Sequence, residues 1–300
     1  MLYLFLVSLF WAFSFGLVKT NLATIHPIFI SSVRLTIALL VFLPFVRIRG
    51  LQRSLVLKLA LIGAVQFGLM YVFYNTAFQY LKAFEVALFT IFTPIFITLI
   101  YDFLHKKPNW IHLSTSIMAI MGTGIIVQAG FHRPGMLTGF LIVQLSNISF
   151  AVGQVFYKEI MSTLPEAKDQ NVFGVLYLGG AGITALLSIF MVPWGQVAIN
   201  STQAWTLLYL GAIASGLGFF LWNFGARRTN IGALAIFNDL KIPLSITVSL
   251  LFFGEKASIP HLVFGGIIVA IALVINEIFE QRERKKQQIQ STVAVRSETA

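Results

Sequence analysis

Apolar runs of about 18–24 residues recur along this chain, separated by short polar or Pro/Gly-containing breaks. At about 1.5 Å of rise per residue, such a run crosses a hydrocarbon layer about 30 Å thick. The pattern predicts ten spans, over residues 2–18, 27–46, 56–80, 83–104, 110–129, 135–157, 172–192, 204–225, 231–253 and 259–279. Several breaks carry helix-stopping residues: His26-Pro27, Pro108, Pro134-Gly135, Pro193-Trp194-Gly195 and Ile259-Pro260. No polar stretch between spans is long enough to fold alone, so no aqueous domain is expected.

Composition points the same way. Hydrophobic residues make up 57% of the 300 and charged ones only 11%, against about 25% charged in soluble domains. The absence of cysteine excludes disulfides and thiolate metal sites. The net charge of +10 is spread over short loops and one tail, which does not suit nucleic acid. The first residues lack a basic n-region and run on through Trp11, Ser14 and Gly16 into a span, so no ordinary cleaved signal peptide is expected.

Basic residues set the orientation. With ten spans, one side receives Arg47, Arg49, Arg53, Lys58, Lys106, Lys107, Lys158, Lys168, Arg227, Arg228, Arg282, Arg284, Lys285, Lys286 and Arg296. The other receives only Lys19, Lys82, Arg133 and Lys256. Arg34 and Lys241, inside spans, complete the 21. Both termini are therefore expected on the cytoplasmic side, with residues 280–300 a polar cytoplasmic tail whose basic run anchors the last span at anionic headgroups.

The halves echo one another. Tyr74-Asn75-Thr76-Ala77 in the third span matches Trp222-Asn223-Phe224-Gly225 in the eighth. Glu85–Phe89 matches Ala233–Phe237, and Pro94 meets Pro243 after a one-residue gap. Ser14-Phe15 matches Ser149-Phe150. Five spans per half is an odd number, so the second half enters the membrane with opposite polarity. The expected fold is an all-α integral membrane protein of ten transmembrane helices in two inverted five-helix repeats, residues 1–130 and 131–279. In such folds the solute site lies near the midplane between halves.

Lys241 is the sharpest chemical signal. It sits about ten residues, or about 15 Å, from either end of its span. A cation there costs about 2.5–3.5 kcal/mol even on the lenient insertion scale and calls for an anionic partner. Asn238, Lys241, Ser245 and Ser249 share one helical face, suited to a water-filled cavity. Pro243 frees the carbonyl of Asp239. The Asp239 side chain is the nearest carboxylate in sequence but points about 200° away from Lys241.

Arg34, about 10 Å from the outer end of its span, is read first as a structural charge, paired with Glu85 or snorkelling, and second as a planar fork for a carboxylate. Gln144, Asn147, Ala151, Gln154 and Lys158 fall within about 80° of the sixth helix, and their amides suit either a solute or neighbouring helices. Trp11, Tyr71, Tyr74 and Trp222 are candidates for pocket walls, Trp222 because it follows a face of small residues, Gly211, Ser215 and Gly218. Glu85 and Asp102, near opposite ends of the fourth span, are candidate proton carriers, and Asp102 is the more readily explained by nearby surface lysines. The five histidines lie in loops or at span ends. No spacing suits a metal, and no HExxH, Walker or serine-elbow motif occurs. No cofactor is implied. An intramembrane enzyme is the remote alternative; it would need an Asp or His cluster near one interface, where only Asp102, Lys106 and Lys107 come close and no second carboxylate joins them.

Ser31-Ser32-Val33-Arg34-Leu35-Thr36-Ile37-Ala38-Leu39-Leu40 in the second span and Thr93-Pro94 in the fourth resemble the EamA-type drug/metabolite transporter superfamily. Within it, Trp11–Phe15, Glu85–Pro94, Phe96–Asp102, Leu141–Tyr157 and Ser215–Asn238 are similar to bacterial biotin importers. The resemblance implies a proton-driven carrier for biotin or another organic anion in the bacterial inner membrane. A superfamily exporter of amino acids or related metabolites is the alternative. In the biotin reading Lys241 neutralises the carboxylate, the sixth-span amides with Asn75, Asn223 or Asn238 read the ureido ring, and Trp and Tyr rings cover the thioether ring. The lipid bilayer is the expected surroundings, and a homodimer is compatible with this reading.

Overall fold

The computed structural model describes residues 2–48, 50–106, 134–164, 167–228 and 231–255, with isolated positions in 114–121 and 260–285; the side chains of residues 2–3 and 226–240 are outside that description. The expected fifth and tenth spans and the tail fall outside the continuously described residues.

No strand occurs among the described residues. Among them, seven stretches are long and apolar enough to cross a membrane. They are α1 (Leu4–Asn21), α2 (Pro27–Phe45), α3 (Arg53–Ala77), α4 (Ala83–His105), α5 (Met136–Ser162), α6 (Asp169–Met191) and α7 (Ser201–Gly225). A further helix, α8 (Ile231–Phe252), carries Lys241 and continues across Pro243. Leu57, Leu141, Leu178, Ile189 and Phe190 on the outside are as apolar as the buried side, as a lipid-facing bundle requires.

Three spans are broken where hydropathy shows nothing. α3 contains a π-helical segment at Ala64–Leu69 and α7 another at Leu210–Leu217. α4 narrows to a 3-10 turn at Thr90–Phe92, just before Pro94, whose ring removes a donor and crowds the carbonyl four residues back. In lipid the backbone groups so displaced need partners. Trp11 Nε1 donates to the Ala214 carbonyl at 3.0 Å, and the Tyr177 hydroxyl lies 2.7 Å from both the Ser215 and Gly216 carbonyls. In α3, just past the π-helical segment, the Ser146 hydroxyl donates to the Met70 carbonyl at 3.0 Å, and the Ser31 hydroxyl lies 2.8 Å from the Pro27 carbonyl and 3.0 Å from that of Tyr71.

The main packing pairs are α1 with α8, α4 with α5, α3 with α6, α2 with α7, α3 with α5, α1 with α7, α2 with α6 and α4 with α8. Exchanging α1–α4 with α5–α8 in order maps this set onto itself. The α3–α6 contact is the tightest. A Cβ on Gly63 would lie 1.8 Å from the Leu176 carbonyl oxygen, and one on Gly179 1.8 Å from that of Ala60, so only glycine lets these backbones meet. At one end of the bundle the Glu255 carboxylate, just past α8, accepts the Ala83 and Phe84 amides at 2.7 and 3.0 Å and caps α4.

Candidate substrate cavity

The helix breaks surround a small cavity, with about 70 Å³ open to the centres of water-sized molecules. α1 contributes Trp11, Ser14 and Phe15, α2 Arg34, and α3 Met70, Tyr71 and Tyr74. α4 adds Thr90 and Thr93, α5 Ser146, Asn147 and Phe150, α7 Phe219, and α8 Lys241. Among these described residues there are two cations and no carboxylate.

Lys241 is 6% exposed, and its Nζ lies 5.5 Å from the Trp11 ring centroid, in reach of a cation–π attraction. Trp11 is fixed from behind: its indole N–H is held by the Ala214 carbonyl, and its ring packs on Phe219 and Trp222 at 5.0 and 5.1 Å. Arg34 is 2% exposed. Its Nε donates to Ser215 Oγ at 3.2 Å and its Nη2 to the Tyr71 hydroxyl at 2.7 Å, while its Cζ lies 4.1 Å from the Tyr71 ring centroid. Nη1 has no hydrogen-bond partner among the described residues.

Asn147 reaches the cavity at the α4 break. Its Nδ2 donates to the Phe89 carbonyl at 2.8 Å and to Gln144 Oε1 at 3.0 Å, and its Oδ1 accepts Thr93 Oγ1 at 3.2 Å. The amide is thus largely engaged in holding the broken helix.

Of the residues singled out from sequence, Trp11, Tyr71, Tyr74, Asn147, Arg34 and Lys241 come together on the cavity. Six other candidates, Gln144, Trp222, Asn75, Asn223, Gln154 and Glu85, do not line it. Gln144 supports Asn147, and Trp222 lies behind Trp11 with its indole N–H unpartnered among the described residues. Asn75 donates to Ser31 Oγ at 2.9 Å, Asn223 to the Phe219 carbonyl at 3.1 Å, and Gln154 is buried away from it. Glu85 accepts the Lys82 amide at 2.7 Å at the start of α4, so the expected pairing with Arg34 gives way to neutral partners, Tyr71 and Ser215. The side chains of Asn238 and Asp239 lie outside the described residues. Sequence reasoning passed over Thr90, Thr93, Ser146 and Phe219. The one signal for the threonines was their proximity to Pro94, which breaks the helix there.

Apolar spans closing around a small, mostly apolar cavity that two cations reach define a multi-pass α-helical membrane protein with an internal site. The chain belongs to the EamA-like transporter family, which matches residues 1–128 and 137–277 and is a transporter rather than an enzyme family. It is 37% identical over 278 residues to the "Biotin transporter" of Escherichia coli (strain K12), covering 91% of each chain. It is 34% identical over 286 residues to the "Probable biotin transporter" of Pseudomonas aeruginosa, covering 95% of this chain and 100% of that one. One solved crystal structure shares the fold with a TM-score of 0.66 at 18% identity, covering 93% of this chain and 98% of that chain.

Proposed function

We propose that this protein is a secondary transporter that carries a small carboxylate-bearing metabolite, biotin, through the central cavity by alternating access. The observation that carries the anionic class is that Lys241 and Arg34, both buried, meet on one cavity. Buried cations are retained where a charge of opposite sign meets them. The choice of biotin rests on likeness to proteins of that name. Trp11, Phe15, Tyr71, Tyr74 and Phe219 give the cavity apolar walls for a ring system, and Ser14, Thr90 and Thr93 supply hydroxyls.

The same reading takes the architecture as ten helices in two inverted five-helix repeats, residues 1–130 and 131–279, with both termini cytoplasmic. Three observations support it: the family match falls in two segments of similar length, the packing pairs are exchanged by swapping α1–α4 with α5–α8, and α3 and α7 each carry a π-helical segment. Transport is then the rocking of one half against the other around the midplane. Coupling to the proton gradient is proposed on family resemblance alone.

Expression in bacteria that lack other biotin transport is expected to restore uptake of labelled biotin, and a protonophore to abolish its accumulation. Absence of uptake by wild-type protein present in the membrane would sink the biotin reading. Accumulation unchanged by the protonophore would sink proton coupling.

A further inference from the structure

Arg34 is nearly fully buried and holds two fixed hydrogen bonds, yet a third nitrogen lacks a partner among the described residues. The donors and acceptors around it fix its orientation. Ser215 Oγ gives its hydrogen to the Leu210 carbonyl at 2.7 Å, across the π-helical segment of α7. In the 2.8 Å contact between Ser215 and Tyr71 the tyrosine hydroxyl must therefore donate. Ser215 Oγ then accepts from both Tyr71 and Arg34 Nε, and the Tyr71 oxygen accepts from Arg34 Nη2. Both neighbours are neutral, and both present acceptors only to the guanidinium. The plane is locked and its charge is left uncompensated by these contacts. Nη1 carries two N–H groups without a described partner; Arg34 lines the cavity, and the Nη1 atom itself is closed off in this conformation, so a ligand reaches it only as the lining parts.

We propose that Arg34 is the seat of the substrate carboxylate, with Tyr71 and Ser215 as its positioning residues, while Lys241 supplies attraction to the anion without being its directional hydrogen-bond partner. This rests on the reading of the cavity as a site for a carboxylate-bearing solute and adds which side chain reads the carboxylate. A buried guanidinium N–H left open costs free energy until an acceptor arrives, and a carboxylate oxygen is a strong acceptor for it. Lysine is no substitute at this position, because a single ammonium cannot hold Tyr71 and Ser215 and still present a planar edge. The seat also spans the two halves, since Ser215 belongs to α7 while Arg34 and Tyr71 belong to α2 and α3.

The test uses purified full-length protein in detergent, with thermal unfolding read against valerate and its uncharged counterpart valeramide, and against biotin and biotinamide. Wild type is expected to be stabilised by the carboxylates and not by the amides. Arg34→Gln and Arg34→Lys are expected to lose that discrimination, and Tyr71→Phe to weaken it. In cells, Arg34→Lys is expected to raise the KM for biotin by about 10- to 100-fold, the worth of a hydrogen bond to a charged group, with a smaller change in kcat. If valerate fails to stabilise wild type, or if Arg34→Lys and Tyr71→Phe respond to carboxylates as wild type does, the seat is not at Arg34. Valerate stabilisation lost in Arg34→Lys, with no response of wild type to biotin, would retain the seat and remove biotin as the substrate.

Discussion

Lys241→Ala is expected to cut biotin uptake by about 10-fold or more, because a cation on a buried cavity attracts an anion about 10 Å away by more than about 1.4 kcal/mol at an effective dielectric of about 20, while the protein remains in the membrane at wild-type abundance. The two readouts separate the roles open to a midspan lysine. Lys241 is 6% exposed on the cavity, so removing its charge removes attraction for an anion. Removing it also relieves an insertion cost of about 2.5–3.5 kcal/mol, so a lysine serving transport is dispensable for folding. Transport assays paired with immunoblots of membrane fractions check both. Wild-type uptake by Lys241→Ala would remove the lysine from the site, and loss of the protein itself would make the lysine structural.

The largest effect on stability is expected at the α3–α6 contact. Gly179→Leu places a side chain where a Cβ alone would be 1.8 Å from the Ala60 carbonyl oxygen, and Gly63→Leu does the same against Leu176. Neither contact can be relieved by turning a side chain, because backbone is what is struck. A destabilisation of about 3 kcal/mol or more, the upper end of overpacking penalties, is expected. It would be read as loss of the folded fraction in mild detergent. Gly182 lies on the same helix, and no described atom stands within 4 Å of the place its Cβ would take. Gly182→Leu should therefore match wild type. Equal tolerance at 179 and 182 would contradict the close packing.

The spans were legible because a bilayer demands long apolar runs, and α1 to α8 fall where those runs predict. The breaks were less so. Pro94 announces the α4 interruption, but the π-helical segments in α3 and α7 change the hydrogen-bond register and leave hydropathy untouched. The site divides on similar physics. Lys241, Trp11, Tyr71, Tyr74 and Asn147 stand out as polar or aromatic residues in apolar spans, and so do Asn75, Asn223, Trp222, Gln144 and Gln154. In a membrane, a polar residue facing another helix needs a partner as much as one facing a cavity, and a single helix does not tell the two faces apart. Arg34 shows the remaining limit. Its neutral partners lie 37 and 181 residues away, so a reading confined to charge naturally paired it with Glu85, which lies at the start of α4 and accepts the Lys82 amide instead.

The proposed passage of biotin through the cavity that Lys241 and Arg34 line can be tested by counterflow in liposomes reconstituted with the purified protein. Exchange of labelled for unlabelled solute needs no driving gradient, so it reports the cavity's selectivity apart from coupling. Internal biotin is expected to draw labelled biotin in, biotinamide to fail as a competitor, and Lys241→Ala and Arg34→Lys both to lose exchange. Exchange that biotin and biotinamide support equally well, unaltered in both variants, would mean that neither cation reads the solute's charge and that the cavity is not a carboxylate site.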